Sequence, residues 1–305
     1  MSDAADARRS ELTRSRPAPE LVSVVMPTYN GAATVEAQLE ALASQTYEGA
    51  WELVVADNGS TDDTLEIVER WSPKLPEVRV VDVEERKGVS HTCNVGASAA
   101  RGDFVVFCHQ DDVADRGWLE AIARAAPNCD LVGGRLDYQT LNDPVTLYWR
   151  PPHRYEELPR AMGFLPYAVG ANLGMWTEVF HELGGWSESY FMGGEDIDFC
   201  WRAQLASFRL CYAPDALIHY RYRSDLRGFA RQIYRYAMAE PKLYKAYRQQ
   251  GAPRNTRAGL RTWLWALAHL PDLVRSVERR GRWMRKVAFR WGRVRGSMRE
   301  RVFYP

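Results

Sequence analysis

Four short apolar runs, rich in valine, each give way to a polar turn whose residues can do chemistry. Residues 21–26 lead into Pro27-Thr28-Tyr29-Asn30-Gly31, and 53–56 into Asp57-Asn58-Gly59-Ser60-Thr61-Asp62. Residues 78–83 lead into Glu84-Glu85-Arg86-Lys87-Gly88, and 104–108 into His109-Gln110-Asp111-Asp112. A further acidic group, Glu195-Asp196-Ile197-Asp198, follows Gly193-Gly194 and opens a helical pattern. Clustered carboxylates suit a divalent cation that keeps most of its shell for phosphate oxygens. A carboxylate at a helix N-terminus is favoured in its ionised form, which a general base requires. Turn polarity alone accounts for any single segment, and for Asp62 as a helix N-terminal residue. It does not call for Asp at the ends of two strands on one sheet edge.

The elements that must position these residues follow from spacing. Helical patterns at 34–44, 62–71, 91–100 and 118–126 alternate with the four apolar runs. Such alternation predicts a parallel sheet covered on both faces, and the unbroken apolar runs match strands buried on both sides. Ligands of these sheets bind outside the carboxyl ends of the strands, where the four turns lie. Residues 131–136 and 168–175 read as further strands, and 141–166 as a long connection at the site edge.

At 305 residues, 46% of them hydrophobic and 26% charged, the chain has an ordinary globular composition. Its net charge of +1 hides a division. Through Pro253 there are 26 basic and 36 acidic residues; from Arg254 onward there are 14 and 3. Residues 1–20 are polar and charged, without a signal-peptide pattern, and read as a disordered leader. The five cysteines show no C-x-x-C spacing, so free buried thiols in a reducing, cytoplasmic compartment are expected.

Taken in order, V-S-V-V-M-P-T-Y-N-G (22–31), V-V-A-D-N-G-S-T-D-D (54–63), Asn94-Val95-Gly96, F-C-H-Q-D-D-V (107–113) and G-G-E-D-I-D (193–198) resemble family-2 glycosyltransferases. Each motif is short; five in order are specific. The resemblance spans 21–222 and implies a GT-A fold, with a basic amphipathic helical region at 223–305. It also implies an inverting transfer of a sugar from a nucleotide-diphosphate donor to an acceptor hydroxyl. In that frame Asp57 resembles the carboxylate that holds the uracil or ribose. Pro27, Thr28, Tyr29, Asn30, Asn58 and Gln110 would line the nucleotide pocket, with Arg86 and Asn94 reaching it from neighbouring segments. Asp111 takes the place of the second acid of the family's D-x-D motif and would bind Mn2+ or Mg2+. His109 stands where the first acid belongs, which leaves it to contact ribose or to ligate a softer cation. His219, at the end of residues 216–220, is a second candidate for the metal. Asp196 resembles the catalytic base, with Glu195 as runner-up, and Asp198 pairs with Arg202 at i+4. A UDP, GDP or dTDP sugar is the implied donor, with a glycan, a lipid-linked or a small-molecule acceptor.

The tail carries Arg227, Arg231 and Arg235 at four-residue steps, and Trp283, Val287, Trp291, Val294 and Met298 at three- and four-residue steps. Such a helix suits an anionic membrane surface at the inner face of the membrane, packing on the body, or an oligomer contact. No nucleic-acid motif accompanies the charge. Two rival functions remain: a nucleotidyltransferase, whose Gly-rich activation loop is not seen near the first strand, and an inactive nucleotide-sugar-binding scaffold. A dinucleotide oxidoreductase would need G-x-G-x-x-G where M-P-T-Y-N-G stands.

Overall fold

The structure, a computed structural model, describes residues 16–151, 156–190, 193–254 and 257–304. Eight strands form one sheet: β1 (Val22–Thr28), β2 (Trp51–Asp57), β3 (Val78–Asp82), β4 (Phe104–Phe107), β5 (Val113–Ala114), β6 (Leu131–Asp137), β7 (Leu173–Trp176) and β8 (Leu210–His219). Their order is β3-β2-β1-β4-β7-β6-β8-β5. The first four are parallel, as the alternation predicts. β7 then runs antiparallel between β4 and β6, while β6 and β8 are parallel. The register aligns Thr28, Asp57 and Asp82 across β1, β2 and β3, so the carboxyl ends form one continuous edge.

Helices α1 (Val35–Ala43), α2 (Thr64–Trp71), α3 (Val89–Ala99) and α4 (Trp118–Ala125) match the four sequence patterns. β2 and β4 are buried along their whole length, which is why these runs lack alternation. Two later readings change. The strand expected at 168–175 begins only at Leu173, because Gly170–Asn172 form a single 3-10 turn. That turn lets the Asn172 amide donate to the carbonyls of Arg135 and Ala216 and accept from the Trp118 indole, so a fully buried amide is satisfied. The connection at 141–166 contains α5 (Pro144–Trp149), capped by Asp143, which accepts from Val145 and Thr146. Asp at the N-cap with Pro at the first helical position is a legible start signal.

The expectation of free buried thiols holds for three cysteines and is overturned for two. Cys129 and Cys211 form a disulfide, and Cys93, Cys108 and Cys200 are free and buried. β6 and β8 are neighbours in register from Leu131 and Leu210, which brings together two residues 82 apart in the chain. The thiol argument for a reducing compartment falls with it. Residues 1–15 of the expected leader lie outside the described residues, while Arg16 ion-pairs with Asp130 at 3.0 Å and lies over the Trp176 ring.

After α6 (Thr177–Glu182) and α7 (Glu195–Leu205) come α8 (Leu226–Tyr247), α9 (Arg257–Ala268), α10 (Asp272–Arg275) and α11 (Val277–Glu300). α11 packs along α8 through the face that the apolar periodicity did not mark. Gly292 and Gly296 are buried there; a Cβ at either would meet the Tyr234 or Met238 carbonyl oxygen at 2.3 or 2.6 Å. Arg293 is buried on the same face and ion-pairs with Glu240. Trp291 and Met298 of the apolar stripe face solvent. Small residues win this contact because they let two helix backbones approach closely. Among the described residues no helix is long and apolar enough to cross a membrane.

Candidate active site

The acids at the end of β4 form a compact group. One ligand atom each of His109, Asp111 and Asp112 lie within 4.8 Å of one another. Arg221, just beyond β8, ties them down: its N–H donates to Asp112 Oδ1 at 2.8 Å and its Nε to the Asp111 carbonyl at 2.9 Å. Asp112 Oδ2 is buried without a hydrogen-bond partner. Burial and the neighbouring Asp111 push the Asp112 carboxyl well above the usual range, and burial lowers the His109 imidazole. A neutral imidazole beside two carboxylates, one with a free buried oxygen, is a donor set that fits a divalent cation. His219, opposite Val113 in the β5–β8 register, is not one of this trio and has carboxylates of its own nearby. Its Nδ1 is 2.8 Å from Asp137 and its Nε2 is 3.9 Å from Asp115.

Most of the expected nucleotide-binding side chains use their polar atoms to hold the loops. Asp57 accepts from Thr28 Oγ1, Ser60 Oγ and the N–H groups of Gly59 and Ser60, which fills the four acceptor positions of a carboxylate. Asn58 donates to the Val83 and Arg86 carbonyls and accepts from Gly88 N–H. The Asn30 side chain accepts from Thr61 N–H, and Gln110 clasps the Tyr29 backbone by accepting from its N–H and donating to its carbonyl. Arg86 is paired with Glu188. Asn94 is bound to Trp186 and Glu188. Each residue lies at the expected edge, but these hydrogen bonds point into the scaffold. Pro27 is itself a residue of β1. The Tyr29 ring remains half exposed beneath the Lys87 ammonium and offers an aromatic face to a ligand.

Asp196 and Glu195 begin α7. Asp196 accepts from Ile197 N–H at 2.8 Å and from Gly170 N–H at 3.3 Å, whereas Glu195 Oε2 is buried without a partner among the described residues. The helix terminus was expected to favour the ionised form, but burial outweighs it. Both carboxyls are raised, Glu195 further because it also feels the charge of Asp196. The two differ as acid and base: Asp196 ionises first and Glu195 holds its proton longer. Gly193 and Gly194 have φ of 116° and 93°, and a Cβ at Gly193 would strike the Tyr236 ring on α8. Their smallness thus serves contact with α8. Asp198 does pair with Arg202, at 2.8 Å.

Sequence reading missed Arg221, Glu188, Tyr220 and Tyr236. Glu188 joins Arg86, His91 and Asn94 and so fixes the 184–190 loop against α3. Tyr220 lies near enough to Asp111 and Asp112, and Tyr236 to Glu195 and Asp196, for those charges to raise each phenol, and the two tyrosines also influence one another. A tyrosine pair thereby connects the acid cluster to the expected base. The R-Y-R-pattern 221–223 after a strand end was a visible but unread signal.

With this geometry the chain can be set beside known proteins. The profile of "Glycosyl transferase family 2" matches residues 23–184, and that of "Glycosyl transferase family group 2" matches 104–291. The chain belongs to glycosyl transferase family 2. Among curated relatives, the glycosyltransferase AglE of Haloferax volcanii is 27% identical over 199 residues, 64% of this chain and 65% of that protein. The pre-mycofactocin glycosyltransferase of Mycobacterium tuberculosis is 27% identical over 282 residues, 86% of this chain and 57% of its own length. The chain therefore spans under two thirds of these relatives. Among solved structures, the mannosyltransferase PcManGT of Pyrobaculum calidifontis, in complex with GDP-Man and Mn2+, matches with a TM-score of 0.66 at 21% identity, covering 96% of this chain and 93% of that one. TarS of S. aureus in complex with UDP-GlcNAc matches with a TM-score of 0.52 at 20% identity, covering 93% of both chains. The fold is the GT-A fold that family membership implies.

Proposed function

We propose that this chain transfers a sugar from a nucleotide-diphosphate donor to an acceptor hydroxyl by one displacement with inversion at C1. The observation that carries this reading is the compact His109-Asp111-Asp112 group at the end of β4, with the buried Glu195-Asp196 pair at the start of α7 as a second acid group. Asp196, the more readily ionised of its pair, takes the acceptor proton as the hydroxyl attacks. Glu195 stays protonated beside it and lowers the local negative charge. His109, Asp111 and Asp112 would hold a divalent cation, which when bound would supply charge neutralisation for the departing diphosphate. The imidazole among the donors favours Mn2+ over Mg2+. The base stacks on Tyr29, and the loops braced by Asp57, Asn58 and Gln110 shape its pocket. The complexes of PcManGT with GDP-Man and of TarS with UDP-GlcNAc support a nucleotide-sugar donor.

The test is a thermal-shift screen of UDP-, GDP- and dTDP-sugars, followed by transfer assays with and without Mn2+. Binding raises the melting point by mass action. Turnover of a nucleotide sugar that ceases with chelator and returns with Mn2+ is expected. Turnover with nucleoside triphosphates alone would instead favour a nucleotidyltransferase, and binding without turnover the scaffold.

A peripheral contact with an anionic membrane is the second part of this proposal. Leu264, Leu267, Leu270 and Val274 on α9, α10 and the turn between them follow one another at three- and four-residue steps, and all are exposed. Arg261 and Arg275 flank the stripe. An apolar ridge with a basic surround suits the headgroup region.

A further inference from the structure

Arg150 and Arg285, from distant parts of the chain, come near one another beside the acid site, each with one buried donor that no described residue satisfies. Arg150 follows the last residue of α5, and Arg285 lies in α11. Their approach is set by Trp149, whose indole donates to the Val277 carbonyl and packs against Gly281, where a Cβ would sit 2.2 Å from the ring. Arg285 is one turn beyond Gly281 on the same helix face. Arg150 Nη1 and Arg285 Nε are both buried without a hydrogen-bond partner, and no carboxylate ion-pairs with either among the described residues. Each of the other nearby cations has a different employment: Lys286 and Arg282 lie over the Trp265 ring at 3.9 and 5.6 Å.

The surroundings of this pair are aromatic and hydroxylated. The Arg150 guanidinium lies 4.6 Å from the centre of the Tyr222 ring, and Tyr138, Tyr220 and Tyr236 also lie within its field. Tyr138, Tyr220 and Tyr222 pack on one another, held by Asn142, which donates to the Tyr138 and Tyr220 carbonyls and accepts from Tyr222 N–H. Tyr220 and Tyr236 lie near enough to both Arg150 and the site acids to feel their charges. Tyr236 is nonetheless 39% exposed.

Two like charges brought near one another, each with a buried unpaired donor, oppose folding. Burial and Arg150 both depress the Arg285 guanidinium. A buried donor left unpaired adds a desolvation cost. The stack of Arg150 on the Tyr222 ring offsets part of its cost, but among the described residues the two buried donors stay unpaired. An anion would offset both, and the paired forks of two guanidiniums with adjacent tyrosine hydroxyls suit a phosphate dianion.

We propose that Arg150 and Arg285 form a receptor for a phosphate group of a bound substrate, so that α11 supplies part of the active site. This rests on the transfer reading above and deepens it. The phosphate belongs either to the donor diphosphate or to a phosphorylated acceptor.

The experiment is calorimetric titration of the full chain with pyrophosphate in the presence of chelator, for the wild type and for Arg150→Gln, Arg285→Gln and Arg285→Lys. Wild type binds, both Gln variants weaken binding at least 10-fold, and Arg285→Lys retains part of it. Titrations with UDP and GDP, and with octyl phosphate at saturating nucleotide, separate the sources. Loss of nucleoside diphosphate affinity in the Gln variants assigns the site to the donor. Unchanged nucleotide affinity with loss of octyl phosphate binding assigns it to the acceptor. Folding of each variant is checked by circular dichroism, and a rise in wild-type melting temperature with pyrophosphate gives a readout that needs no variant. The proposal is overturned if wild type binds no phosphate compound, or if folded Gln variants bind all of them as wild type does. Because no sugar need be transferred, a failure of the transfer reading leaves this result intact.

Discussion

Asn94 grips Trp186 at both backbone atoms, accepting from its N–H at 2.8 Å and donating to its carbonyl at 3.0 Å. This side chain, expected to meet the nucleotide, instead fastens the 184–190 loop to α3. Replacing Asn94 with Ala leaves the Trp186 backbone groups unpaired at about 1–3 kcal/mol. The melting temperature should fall by several degrees while nucleotide affinity in folded protein stays within about threefold. A selective loss of nucleotide affinity at unchanged stability would restore the direct contact.

The two carboxyls at the start of α7 should separate under mutation. Asp196→Asn removes the base and should lower kcat by about 10²–10⁴-fold. Glu195→Gln replaces a group that is already protonated near neutrality, and should change kcat by less than about threefold. Burial pushes Asp196 up to about 6. Since the base must be ionised, kcat/KM should climb as pH rises through that value. Charged or titratable groups facing the pair include Tyr236 and Cys93, both raised by burial and so neutral across this range. A rate that is flat from pH 5 to 8, or an active Asp196→Asn, would remove Asp196 from the role.

Gly292 is the close-contact point of α8 and α11. Alanine is the better helix former by about 1 kcal/mol. Here, however, its methyl would sit 2.3 Å from the Tyr234 carbonyl oxygen, and overpacking costs about 1–3 kcal/mol. Gly292→Ala should therefore lower the melting temperature in calorimetry. A rise would mean that α11 does not lie on this face.

Denatured, unreduced protein should titrate three thiols, those of Cys93, Cys108 and Cys200. Reduction should lower stability by about 2–4 kcal/mol, because the Cys129–Cys211 bridge closes a long loop. Five thiols in the unreduced protein would exclude the bridge.

For membrane contact, Leu267→Glu with Val274→Glu should reduce co-sedimentation with vesicles containing 30% anionic lipid at least fivefold. Truncation at Arg254 would be a poor test, since it removes α11 and strips α8 of its packing partner. Equal pelleting of the double variant and the wild type would dismiss this ridge as the contact.

The parallel half of the sheet, its four flanking helices and the row of polar turns at its edge were legible in the sequence. Burial on both faces leaves unbroken apolar runs, and the register that aligns Thr28 with Asp57 follows from parallel pairing of those runs. Asp111 and Asp196 were legible too, as carboxylates at a strand end and a helix start. Which polar atoms remain free was decided only by the tertiary structure. Asp57, Asn58 and Asn94 sit where motif reading puts them, yet their hydrogen bonds turn inward to partners brought near by folding. The bridge between Cys129 and Cys211 and the approach of Trp149 to Gly281 depend on neighbours 82 and more residues apart. Periodicity in a sequence reports which face of one element avoids water. It carries no record of what that face will meet, and for α11 two glycines and a buried arginine took the contact from the tryptophan stripe.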